Sequence, residues 1–233
     1  MRTLLGLLAL LAVLLVVVGL VADPVAEGVA EDRVAEALRE RGGLAATPEV
    51  DVTGWPFLTQ AVSGTYDDVR ISLPAEVLGR PEGTTAEVAL RGVHVPLSDA
   101  LSGSVREVPV DRIDGTATLS YDLLAGQLGA GTVLAREGDR LRVTRTVEVL
   151  GYTVPLTATA TVSLDGQDLV VDVGEASAAG VGVPGAVVDR AEGLLDLRYP
   201  VELPFGLRLT GVRPADDGVE VDVEATDTVL RAA

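Results

Sequence analysis

From Val50 onward, apolar and polar residues alternate with a period of two over 50–54, 66–73, 85–95, 108–121, 140–150, 152–164, 168–174, 207–213 and 219–226. Successive side chains of an extended chain point to opposite faces, so the pattern restricts these segments to half-buried β-strands. Turn signals such as "LDGQD" and "RPADDG" lie between neighbours and favour hairpins. An antiparallel sheet of eight or nine strands is expected. Helical patterning is confined to a few places. Residues 23–43, "DPVAEGVAEDRVAEALRERGG", offer Asp23 as N-cap, Pro24 at the first helical position, and Gly42 with Gly43 as a stop. Between them Val25, Val29, Ala30, Val34, Ala37 and Leu38 recur at helical spacing. Such a stripe packs on the sheet or lies on a bilayer, and the acidic excess over its three Arg disfavours the bilayer. Shorter helical pieces fall at 97–103 and 119–129, and a longer one at 184–197.

The strand "YTVPLTATATVSLDG" says most about contents. Val154, Leu156, Ala158, Ala160, Val162 and Leu164 share one face, and Thr153, Pro155, Thr157, Thr159, Thr161 and Ser163 the other. At ~3.3 Å per residue it runs about 40 Å, so it needs a long apolar partner. The middle of the apolar face is Ala, and interiors do not tolerate voids, so something else fills the space there. Ile113, Gly115, Ala117, Leu119 and Tyr121 repeat the pattern. Two occupants fit a groove between such strands: the long helix, or an acyl chain. A chain of about 15 methylenes hides ~12 kcal/mol of transfer free energy, and only long apolar strand faces offer comparable dry surface.

In "RLRVTRTVEVLG" Leu141, Val143, Val147 and Val149 alternate as a core face with Arg145 in its middle. An inward guanidinium requires an anion, and a lipid-headgroup phosphate suits its fork. A β-bulge turning Arg145 outward, or pairing with a carboxylate, are the alternatives. The only Trp, Trp55, and one of two Phe, Phe57, flank Pro56 in "GWPFLTQAVSG", while the other, Phe205, also follows a proline in "YPVELPFGL". Proline fixes the local backbone, so these rings either cap the core or line the mouth of a groove.

Composition removes whole classes of function. All 18 basic residues are Arg, against 35 acidic ones, for a net charge of −17. That field repels nucleic acid and anionic membrane surfaces. With no Cys and a single His, His94, there is no thiolate metal site and no motif needing two His; no metal or cofactor is expected. No G-x-S-x-G elbow accompanies His94, and Asp165, Asp168, Asp216 and Asp217 sit where turns need them. The Gly-rich "GEASAAGVGVPG" lacks a P-loop lysine. No catalytic residue is assigned.

The N-terminus decides location. Arg2 precedes eighteen uncharged residues, Leu4–Val21, long enough to cross a hydrocarbon core as a helix. Residues 1–22 therefore read as a signal anchor or a cleaved signal peptide; Leu20 is bulky where a cleavage site wants a small residue. Either way the acidic remainder from Asp23 is exported, to the outer face of the cytoplasmic membrane or a periplasm-like space.

Two blocks carry a family resemblance. In "VDVTGWPFLTQAVSGTYDDVRISL" the residues are Pro56, Phe57, Leu58, Gln60, Gly64 and Val69; in "YPVELPFGLRLTGVRPADDGVEVDVEA" they are Leu203, Pro204, Phe205, Gly211 and Val212. The chain resembles the LmeA-like phospholipid-binding proteins of actinobacterial cell envelopes. The resemblance implies a non-enzymatic, exported protein that binds phospholipids, including phosphoinositides, and supports lipomannan elongation in mycobacteria. It further implies an α+β, TULIP-like half-barrel: a long, curved, mainly antiparallel sheet wrapped against one or two helices, preceded by the N-terminal hydrophobic helix. Residues 23–233 then form a single lipid-binding domain, with 23–43 as helix and 50–233 as sheet with short helices. Acyl chains are expected on Val154, Leu156, Ala158, Ala160, Val162, Ile113, Ala117 and Leu119, with Trp55, Phe57 and Phe205 at the mouth and Arg145 at the headgroup. The competing expectation is a membrane-anchored structural or protein-interaction domain of the envelope without lipid cargo.

Overall fold

The computed structural model describes residues 2–128, 131–149, 152–178, 197–200 and 203–231. Strands β1 (Glu49–Thr53), β2 (Thr65–Leu73), β3 (Thr85–His94), β4 (Glu107–Ser120), β10 (Arg208–Pro214) and β11 (Gly218–Arg231) form a six-stranded sheet in the order β1-β2-β3-β4-β11-β10. A second sheet of five holds β5 (Thr132–Glu137), β6 (Arg140–Val149), β7 (Tyr152–Asp165), β8 (Asp168–Ala178) and β9 (Leu197–Pro200) in sequence order. Every pairing is antiparallel. A mainly antiparallel α+β protein is therefore present, but the strands divide between two sheets where alternation suggested one. The reason is physical: a period of two fixes which face a residue takes, not which strand lies beside it. β4 finds its second neighbour in β11, across the whole of the second sheet in sequence.

One transverse row explains the first core. Val52, Val69, Leu90, Ile113 and Ala225 stand side by side on five adjacent strands, all buried. Helix α1 (Arg2–Gly42) lies over them with Ala26, Ala30, Ala35 and Leu38. This corrects the expected stripe, because Val25, Val29 and Val34 are exposed. Alanine lets a helix axis approach a sheet more closely than valine does, so the small side chains take the contact. Asp23 is also not the N-cap expected of it. The helix runs through it, and Pro24 lies inside.

The second core joins the sheets. Leu134, Leu141, Val143, Ala160 and Val162 of the second sheet bury against Val219 of β11, with Val212 and Val221 packed alongside. Since Val219, Val221 and Ala225 alternate along β11, one side of the first sheet serves both cores. Helix α5 (Tyr121–Leu128) closes this core with Tyr121, Leu124 and Ala125. Buried Ser120 caps it, accepting the Leu123 N–H at 3.3 Å and the Thr84 hydroxyl at 3.0 Å, while the Tyr121 hydroxyl donates to the Ala215 carbonyl at 2.6 Å.

The expected pieces at 97–103 and 119–129 correspond to α4 (Leu97–Ser102) and α5. The helix expected at 184–197 lies outside the described residues except for Leu197, which opens β9. Gly92 is the one break in the parity of β3. At φ +61° it lets Arg91 pair with Arg112 and Val93 with Val110, and an added Cβ would sit 2.1 Å from Asp111 Oδ2. Gly92→Ala is expected to cost more than the penalty of about 1–2 kcal/mol for a left-handed side-chain residue, because Asp111 must also shift; urea denaturation measures it.

Candidate functional site

The stretch "GWPFLTQAVSG" holds the short helix α2 (Phe57–Ser63), between Pro56 and Gly64. A helix starting after a proline has no local side chain to receive its first N–H groups. Here Pro56 is followed by two N–H groups that donate to one distant carboxylate: Phe57 to Asp23 Oδ2 at 2.9 Å and Leu58 to Asp23 Oδ1 at 2.7 Å. Asp23 is thus buried as a cap supplied by α1. At the other end Gly64, at φ +74°, donates to the Gln60 carbonyl at 2.8 Å. The Gln60 amide links the strands on either side, donating to the Gly54 carbonyl at 2.9 Å and accepting the Asp67 N–H at 2.8 Å. Each residue of the N-terminal block therefore has a physical task.

The two rings of that block part company. Phe57 is buried in the first core, its centroid 5.9 Å from that of Tyr66, whose hydroxyl burial pushes upward in pKa. Trp55, joined to Pro56 by a cis peptide, is 77% exposed. Phe205 lies in a single 3-10 turn, Pro204–Gly206, at φ +59° and 44% exposed, with its carbonyl accepting the Thr228 hydroxyl at 2.6 Å. In the same block Gly211 follows a register shift in β10, and Val212 packs on the second core.

The residues expected against an acyl chain are distributed over both sheets. Ile113 lies in the first core and Ala160 in the second. Ala158 and Val162 are also buried, Ala160 wholly so, while Ala117 and Leu119 are half-buried on β4. The side chains of Val154 and Leu156 lie outside the described residues, although their backbone pairs with Val147 and Arg145.

Arg145 keeps the parity of the core. The register of β6 against β7 runs without a shift from Leu141↔Ala160 to Val149↔Tyr152, and that against β5 from Thr132↔Arg145 to Glu137↔Arg140. No bulge turns Arg145 away, so it shares the face of buried Leu141 and Val143 and is itself half-buried. Opposite it stands Thr132, buried, with a hydroxyl that has no hydrogen-bond partner among the described residues. Among the described residues no carboxylate pairs with Arg145. Sequence reasoning found Arg145 but missed Thr132, because β5 is a short strand without a clear alternating run.

A second feature lies on the polar side of the first sheet, an open groove of about 790 Å³. Arg70, Arg91 and Arg112 line it together with Glu49, Asp51, Glu87, Asp114, Asp222 and Glu224. The guanidinium groups are engaged: Arg70 with Asp68 at 2.9 Å, Arg91 with Asp114 at 3.2 Å, Arg112 with Asp114 at 2.7 Å and with Glu224 at 3.3 Å. The Arg112 hydrogen bond is the main reason that the Asp114 carboxyl stays below the usual aspartate range; partial burial opposes it, and the charges of Arg112 and Arg91 add to it. Three engaged cations among six carboxylates make a poor seat for a phosphate. Among the described residues no group of three His, Cys, Asp or Glu is arranged to hold a metal ion.

Fold and site define a mainly antiparallel α+β protein with two cores, helices laid on its sheets, and an arginine on the inner face of the smaller one that no carboxylate among the described residues pairs with. The chain belongs to the LmeA-like phospholipid-binding family, whose model matches residues 21–224. The resemblance carried by the two proline-phenylalanine blocks is borne out, and the family is a phospholipid-binding one and not an enzyme family. No curated protein and no solved structure matches the chain.

Proposed function

We propose that this chain is an exported phospholipid-binding protein of the cell envelope, held at the outer face of the cytoplasmic membrane by Leu4–Val21 and carrying a lipid against the inner side of its second sheet. The observation that carries this reading is the family match over 21–224. Arg145 and Thr132 support it: a half-buried cation beside a buried, unpartnered hydroxyl offers a phosphate one charge-assisted bond and one neutral one. In this reading the acyl chains run from Arg145 toward the positions of Val154 and Leu156, in the tubular arrangement that the family resemblance implies. Transfer between membranes and support of lipoglycan synthesis extend the same reading.

Native mass spectrometry of the protein extracted from its cells tests it. A co-purified phospholipid mass is expected, and Arg145→Gln is expected to lower its occupancy at least several-fold while leaving the fold intact by circular dichroism. A clean apo mass, with no uptake from phospholipid vesicles, overturns it. One observation favours a second reading, an anchored protein-interaction domain without cargo: Ala160, at the middle of the small-residue face, is 0% exposed and covered by protein side chains. The same apo mass would support that alternative.

A further inference from the structure

The Asp23 cap fixes more than a helix end. Its two bonds tie the start of α2 to α1 two residues beyond Val21, where the uncharged stretch stops. At about 1.5 Å of rise per residue, Asp23, which holds the start of α2, lies about 3 Å along the helix axis beyond the end of that stretch. If Leu4–Val21 crosses the bilayer, α2 sits at the height of the headgroups.

The surface that α2 turns outward is suited to that place. Phe57, Gln60 and Ala61 face the protein, leaving Leu58 and Val62, one turn apart, exposed, the latter at 75%. Trp55 precedes them, and exposed Leu101 belongs to α4, which contacts α2. In a chain of net charge −17, α2 carries no charged residue, and its remaining exposed side chains are Thr59 and Ser63. Exposed apolar side chains grouped around a tryptophan and bordered by small hydroxyls match the boundary between headgroups and acyl chains.

We infer that Trp55, Leu58, Val62 and Leu101 form a docking face seated in the outer leaflet of the bilayer that holds Leu4–Val21. The inference rests on the anchor in the reading above and not on lipid cargo. It makes the domain a fixed attachment of the membrane, with one orientation, where a tether alone would leave it free to swing.

Trp55 is the only Trp, so its fluorescence reports on this face without labelling. The full chain, reconstituted in phosphatidylcholine vesicles brominated near the headgroup, is expected to lose at least half its emission, while aqueous iodide has little effect. Leu58→Ser with Val62→Ser should reverse that preference at unchanged phospholipid occupancy by native mass spectrometry. Free quenching by iodide without quenching by brominated lipid, in protein whose intact mass retains residues 1–22, overturns the docking and leaves the anchor standing. An intact mass beginning near residue 23 overturns both. Bromine quenching that persists after extraction with a single brominated lipid per chain places Trp55 on cargo and overturns the docking. Loss of cargo with bromine quenching intact leaves the docking supported and removes only the lipid-carrying reading.

Discussion

Phe57→Ala is expected to lower the stability of the protein by about 3–5 kcal/mol, the range for removing a buried aromatic ring. For a domain of this size each kcal/mol shifts the melting temperature by about 2–4 °C, so a fall on the order of 10 °C should be seen by calorimetry or circular dichroism. The side chain is nearly fully buried and lies against Tyr66 in the first core, with α1 across from it. Removing it empties a space that Ala61 and Val52 are too short to fill. Trp55→Ala, only two residues earlier, is expected to change stability by no more than about 0.5 kcal/mol, because the exposed indole buries little. Equal losses in the two variants would contradict the division of labour between the rings.

Asp23→Ala comes next in size. Two backbone N–H groups lose a charged acceptor and are left beside apolar surroundings, at a cost of about 3 kcal/mol. Asp23→Asn keeps one carbonyl oxygen as acceptor and should lose about half as much. Denaturant titration gives the totals, and limited proteolysis within 54–64 shows where the loss falls: α2 should become cleavable before the sheets do. A loss below about 1 kcal/mol would mean that the cap is not formed in solution.

Much of the β architecture was legible. All nine alternating segments correspond to strands within a few residues, because half-burial writes itself directly into a period of two. The elements missed are short strands without a clear alternation, β5 and β9, and those whose cause is distant. α2 has seven residues, a proline before it, and a cap from 34 positions away, so no window around Phe57 contains the signal. The stripe on α1 misled for a related reason. Valines and alanines both recur at helical spacing there, and the choice between them is made by how closely the sheet approaches. Arg145 could be read as an anomaly of one strand, but its neighbour Thr132 emerges only once β5 is paired to β6. The division into two sheets was hidden too, since the second partner of β4 is β11, beyond all five strands of the other sheet in sequence.

That last pairing bears on how the molecule is made. β4 and β11 pair in one unshifted register from Glu107↔Arg231 to Ser120↔Gly218, and the Arg112–Glu224 contact across them joins positions 112 residues apart. While the chain is being synthesised, β4 keeps an uncovered rim, and Ile113 lacks the Ala225 that completes its row. The rim of β4 is therefore closed only once β11, fourteen residues long and made after all five strands of the second sheet, is in place.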